Sequence, residues 1–73
     1  MKTERVAIHT EFIKLDQLLK YAGVAMTGGE AKEIIAEGAV ALNGEPCLIR
    51  GKKVCPGDVV TVDDLCLKVV SGI

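Results

Sequence analysis

Arg50, Lys52 and Lys53 place three of the nine cationic side chains within four residues. Clustered cations of this kind neutralise phosphates, because phosphate contacts follow local charge geometry more than total charge. A second group able to hold anions is Thr27-Gly28-Gly29. It stands where a helix can begin, and the free N–H groups and dipole of a helix start attract negative charge. Two glycines let a phosphate approach the backbone closely. On composition alone a solvated Lys-rich loop and an ordinary N-cap are the simpler readings of these two segments.

Catalytic chemistry is poorly supplied. The only serine is Ser71 and the only histidine is His9, so no Ser/His/Asp set can be assembled. His9 reads as a polar residue at a strand end. No glycine-rich loop leads into Lys and Ser or Thr, as phosphate-binding nucleotide loops do. Asp63-Asp64 reads as a turn, and Glu33 with Glu37 as a solvated helix face, since a paired-carboxylate site needs a cleft. Cys47, Cys55 and Cys66 are spaced by 8 and 11 residues. That spacing lacks the close ligand pairs of a zinc site, and an odd count argues against a disulfide framework. They read as reduced, partly buried thiols, with a redox role for Cys55 beside the basic loop as the minor alternative. No enzyme activity, metal or cofactor is expected.

The whole chain bounds the partners. It has 73 residues, 49 % of them hydrophobic, with 10 acids against 9 bases and a net charge of −1. High apolar content at low net charge excludes disorder, and no apolar run approaches the ~20 residues of a membrane span. The charged, acid-containing start Met1-Lys2-Thr3-Glu4-Arg5 is not expected to be a secretory signal, so the chain is expected in the cytoplasm. The neutral total hides a division: residues 45–56 hold three bases against one acid, and residues 57–73 three acids against one base. With Phe12 and Tyr21 as the only aromatics, stacking of several bases is not expected.

These residues need elements to position them. Residues 5–8 suggest a short strand. Leu15, Leu18, Leu19 and Ala22 follow helical spacing, with Gly23 closing the helix. Thr27 to Glu30 has the form of a capping box, with Glu30 reaching back, and Ala31, Ile34 and Ile35 form the apolar stripe of a second helix ended by Gly38. At about 100° per residue, Glu30, Glu33 and Glu37 form an acidic ridge, while Gly28, Gly29, Lys32 and Ala36 lie on an acid-free flank. Asn43-Gly44 predicts a type I′ hairpin after Val40–Leu42, returning over 45–49, with Pro46 pushing that arm to an edge. Pro56-Gly57-Asp58 predicts a turn, and residues 59–62 and 65–70 a second hairpin around Asp63-Asp64. The expected fold is α+β: two short helices packed on a small, mainly antiparallel sheet of four to five strands.

The order of these motifs resembles a known family. Ile13-Lys14-Leu15-Asp16-Gln17-Leu18-Leu19-Lys20, then Gly23 to Lys32, then Ile35 to Gly44, then Val54-Cys55-Pro56-Gly57-Asp58-Val59-Val60, is similar to the RNA-binding domain first named from small-subunit ribosomal protein S-four, also called the αL motif. The length and the Thr-Gly-Gly-x-Ala-Lys wording look most like its stand-alone bacterial YaaA/YbcJ-like members. The resemblance implies one RNA-binding domain over residues 1–73, with a core motif over 13–62 and flanking strands. It implies binding of structured ribosomal or transfer RNA, with ribosomal particles as a further partner, in ribosome assembly or RNA metabolism, and without catalysis; a monomer is expected. Lys14 stands where the family often has Arg, Thr27 at its small hydroxyl position, Lys32 at a basic helix position, and Arg50, Lys52 and Lys53 in its basic stretch. Gly28 departs from the wider family, which usually carries Arg there. The expected RNA-binding residues are Lys14, Thr27, Gly28, Gly29, Lys32, Asn43, Arg50, Lys52 and Lys53. A protein–protein adaptor without RNA contact is the alternative. A β-grasp sulfur carrier is a remoter one, since such carriers end in Gly-Gly and this chain ends Ser71-Gly72-Ile73.

Overall fold

The computed structural model describes residues 2–72; Met1 and Ile73, used above in reading the two ends of the chain, lie outside them. The elements run β1 (Lys2–Ile8), β2 (Ile13–Lys14), α1 (Leu15–Tyr21), α2 (Gly28–Ala36), β3 (Val40–Leu42), β4 (Glu45–Pro46), β5 (Lys53–Val54), β6 (Val59–Val62) and β7 (Leu65–Ser71). Five strands form one sheet in the order β1-β7-β6-β3-β4, and β2 and β5 form a separate pair. The α+β reading holds, and three of the four pairings in the large sheet are antiparallel.

The core is one cluster between the helices and one face of the sheet. Leu15, Leu18 and Leu19 of α1 and Ala31 and Ile35 of α2 are fully buried against Val40, Val60, Leu67 and Val69. Burying each Leu or Val side chain stabilises by about 1.5–3 kcal/mol. A chain of 73 residues has little such burial to spare. The helical stripe read from the sequence is therefore the core stripe, with Ala22 and Ile34 at its margin.

The turns follow their residues. Asn43 and Gly44 take φ of 51° and 86°, the two positive values of a type I′ turn, and Gly supplies the second without a Cβ clash. Leu42 then faces Glu45 across the hairpin. Asp58 N donates to Cys55 O at 3.0 Å and closes the Pro56-Gly57 turn. Asp63 and Asp64 form the tip between β6 and β7, where Lys2 N donates to Asp64 O at 2.8 Å.

Three features differ from the sequence reading. The first strand spans Lys2–Ile8 rather than 5–8, and it pairs in parallel with β7 over its full length. Its alternation is weak because only Val6 and Ile8 at its end reach the core, while Lys2, Thr3 and Arg5 are exposed and Glu4 is half-buried. The arm expected over 45–49 is only Glu45–Pro46. Pro46 offers no N–H to the ladder; Cys47 N still donates to Val40 O at 3.0 Å, and then Leu48 and Ile49 leave the sheet. The third is the β2–β5 pair, whose two short strands carry no periodic signal. His9 does follow directly on β1, and its ring stands against Gly72. Cys47 and Cys66 are buried thiols, whereas Cys55 is exposed rather than partly buried.

Candidate nucleic-acid interface

The basic loop is fastened to the start of α1. Lys14 is the N-cap of that helix and provides no side-chain cap. The orphan amides of the first turn are satisfied instead by the loop backbone: Leu15 N donates to Lys52 O at 2.9 Å and Asp16 N to Arg50 O at 3.0 Å. Lys52 N donates to Ile49 O at 3.1 Å and tightens the loop. Beside these bonds, β2 and β5 pair antiparallel, with Ile13 opposite Val54 and Lys14 opposite Lys53. Val54 is fully buried and anchors the pair to the core. Lys14, Arg50, Lys52 and Lys53 are thereby brought together from two remote segments.

Their charges are uncompensated. The ion pair of Lys2 with Glu4 at 3.5 Å is the only one among the described residues, and it lies elsewhere, on β1. Lys53 Nζ sits 4.8 Å from the centre of the Phe12 ring, a cation–π contact that restrains the ammonium without neutralising it. The Asp16 carboxylate, the nearest acid in sequence to Lys14, accepts from Gln17 N at 2.8 Å.

The start of α2 is built differently. The Thr27 hydroxyl accepts from Glu30 N at 3.1 Å, which is one half of the expected capping box; the Glu30 side chain does not return the bond. The amides of Gly28 and Gly29 lie ahead of the first intrahelical bond, Ala31 N to Thr27 O at 3.1 Å, and both glycines are exposed. A Cβ at Gly28 would meet nothing within 4 Å. Lys32 is exposed on this helix, as are Glu30, Glu33 and Glu37.

Asn43 has an internal task. Its side-chain amide donates to Asp58 Oδ1 at 3.1 Å, and its Oδ1 accepts from Val59 N at 2.9 Å. Asp58 Oδ2 in turn accepts from Cys55 N at 2.8 Å. The side chain thus ties the β3–β4 turn to the Pro-Gly-Asp turn.

Sequence reasoning missed three residues here. Phe12 was only counted as an aromatic, though its place one residue before Ile13-Lys14 was the available signal. Leu48 and Ile49 were read as strand, yet each is 64 % exposed directly before Arg50. They line a groove of about 220 Å³ with Leu42, Pro46, Cys47 and Lys52. No helix among the described residues is long and apolar enough to cross a membrane.

A family model described as the S4 domain matches residues 6–70. A Bacillus subtilis (strain 168) protein described as "Probable ribosome maturation protein RlbA" is 45% identical over 58 residues, which span 80% of this chain and 82% of that protein. A crystal structure of a pseudouridylate synthase superposes with a TM-score of 0.69 at 25% identity over 77% of this chain. The match takes up only 24% of the synthase chain. With its motifs in order and the family model spanning nearly its whole length, the chain belongs to the S4 domain family.

Proposed function

We propose that this chain is an RNA-binding protein that holds the backbone of structured ribosomal or transfer RNA and acts in ribosome assembly. One observation carries the reading. Lys14, Arg50, Lys52 and Lys53 are gathered on one patch by the β2–β5 pair and the loop-to-helix bonds, with no acid among the described residues paired to any of them. Clustered cations create a local positive potential that attracts a polyanion whatever the total charge. Thr27, Gly28, Gly29 and Lys32 form the second anion-holding element, through open amides and one ammonium. Asn43 contributes by holding the hairpin in place.

The aromatics favour shape over base reading. Phe12 lies under Lys53, and the Tyr21 hydroxyl donates to Ala7 O at 3.1 Å. Two separate aromatics are too few for a platform that stacks several bases, so recognition goes through phosphates and sugar hydroxyls. The similarity to a ribosome maturation protein supports a ribosomal target. In this proposal residues 1–73 act as one monomeric RNA-binding unit in the cytoplasm, without catalysis of their own. The similarity to the pseudouridylate synthase covers too little of that enzyme to bring its chemistry here.

The test is filter binding of deproteinised ribosomal RNA by wild type and by a Lys14/Arg50/Lys52/Lys53→Ala variant. Loss of binding in a variant that keeps its far-ultraviolet spectrum supports the proposal; equal affinity contradicts it. Exposed Leu48 and Ile49 favour an adaptor as the second reading. Co-purification with a ribosomal protein that survives nuclease treatment and is lost in Leu48→Ser/Ile49→Ser would establish that reading instead.

A further inference from the structure

The helices cover only one face of the large sheet. Thr3, Cys66, Thr61, Ala41 and Pro46 are mutually opposite across its five strands, with Arg5, Lys68 and Val59 in the adjoining row. Residues directly opposite across a ladder share a face. Their sequence neighbours Val6, Val60, Leu67 and Val69 belong to the core under the helices. Cys66 is buried but stands apart from that core, so this row lies on the helix-free side.

That face carries two charges, and both are positive. Arg5 stands opposite Lys68 in the β1–β7 pair, and both are exposed. Neither side chain forms a hydrogen bond or ion pair with the described residues. Like charges directly opposite in a sheet are destabilising, so folding alone does not account for them. Their neighbours Thr3, Ala7, Ala41 and Thr61 are short, which leaves the surface flat.

We infer that this face takes a second segment of RNA backbone, so that the domain lies between two RNA segments. The inference rests on the RNA reading above and adds a contact surface on the opposite side of the sheet from the helices. Paired cations on a flat surface of short side chains let a polyanion lie close, and without an aromatic the face can hold phosphates but cannot stack bases. A protein partner is less well served. Interfaces between proteins are anchored by large apolar side chains, and none of the exposed ones here (Phe12, Tyr21, Met26, Leu48 and Ile49) belongs to a strand of this sheet.

The experiment places a photoreactive benzoylphenylalanine at Thr3 and, separately, at Ala36 on α2, and irradiates each protein bound to purified ribosomal particles. Crosslinks to RNA from both positions, mapped to different RNA segments, are the expected result. RNA crosslinks from Ala36 with only protein crosslinks, or none, from Thr3 overturn this inference and leave the RNA-binding proposal standing. No RNA crosslink from either position overturns both. In parallel, Arg5→Thr/Lys68→Thr should keep or raise its thermal midpoint. It should weaken binding to deproteinised ribosomal RNA roughly three- to tenfold and lower the salt slope by between about one and two, the share of two phosphate contacts. An unchanged slope would also overturn the inference.

Discussion

The two helices begin in opposite ways. At the start of α1 the first amides are taken by the carbonyls of Arg50 and Lys52, and the N-cap Lys14 gives no side-chain bond. At the start of α2 one amide is taken by the Thr27 hydroxyl, and those of the exposed Gly28 and Gly29 have no partner among the described residues. Both starts have the same unmet donors and the same dipole. One uses them to fasten a loop whose side chains carry the charge. The other leaves backbone amides exposed, which in the proposed function face an anion. In the proposed function a helix N-terminus serves RNA binding as a structural anchor at α1 and as a direct contact at α2, and the neighbouring residues decide which.

Variants at each start separate these uses. The largest effect is expected at the fastened one. Leu15→Ala empties a fully buried site at the first residue of α1 and should cost about 2–5 kcal/mol. Urea denaturation should show that loss, and RNA affinity should fall with it, because the loop hangs on the same turn. At the open start, Thr27→Ala removes only the cap and should cost about 0.5–2 kcal/mol in the same measurement. RNA affinity at a temperature where the variant stays folded should change little. A large loss of affinity there would mean that the hydroxyl itself meets the RNA.

Gly28→Arg sharpens the contrast from the other direction. The site is open and its backbone is not left-handed, so the side chain fits without strain. It supplies a guanidinium to a start that now offers only amides. Affinity for ribosomal RNA should rise by up to about tenfold, with a salt slope steeper by almost one unit. The smallest effect is expected for Phe12→Ala. It removes the ring under Lys53, a contact worth about 0.5–1 kcal/mol at an exposed site, and should weaken RNA binding no more than about fivefold in titration.

Much of this was legible in the sequence. The α1 stripe announced itself by spacing, the Asn43-Gly44 turn by the φ values that pair of residues tolerates, and Thr27 by the hydroxyl that caps α2. Those signals are local, so one segment is enough to read them. The β2–β5 pair was not legible. Its strands are two residues each, and only the distant partner gives them meaning. The parallel pairing of β1 with β7 joins the two ends of the described chain, and no local pattern encodes such a partner. For the candidate site, the basic residues could be named in advance. What escaped was the way loop carbonyls cap α1, because backbone atoms leave no trace in residue type. The internal bonds of Asn43 escaped for a related reason: a turn residue and a bridging side chain look the same in a sequence.

In the proposed function a nearly neutral chain binds RNA through a few local cations, and its total charge has little bearing on the binding. The most direct test is the salt dependence of ribosomal RNA binding for wild type and for Lys32/Arg50/Lys52/Lys53→Ala. Each phosphate contact contributes about 0.7–0.9 to the slope of log affinity against log salt. The wild-type slope should be steep and should fall by roughly three in the variant, together with a large loss of affinity. An affinity and slope unchanged by the four substitutions would contradict it.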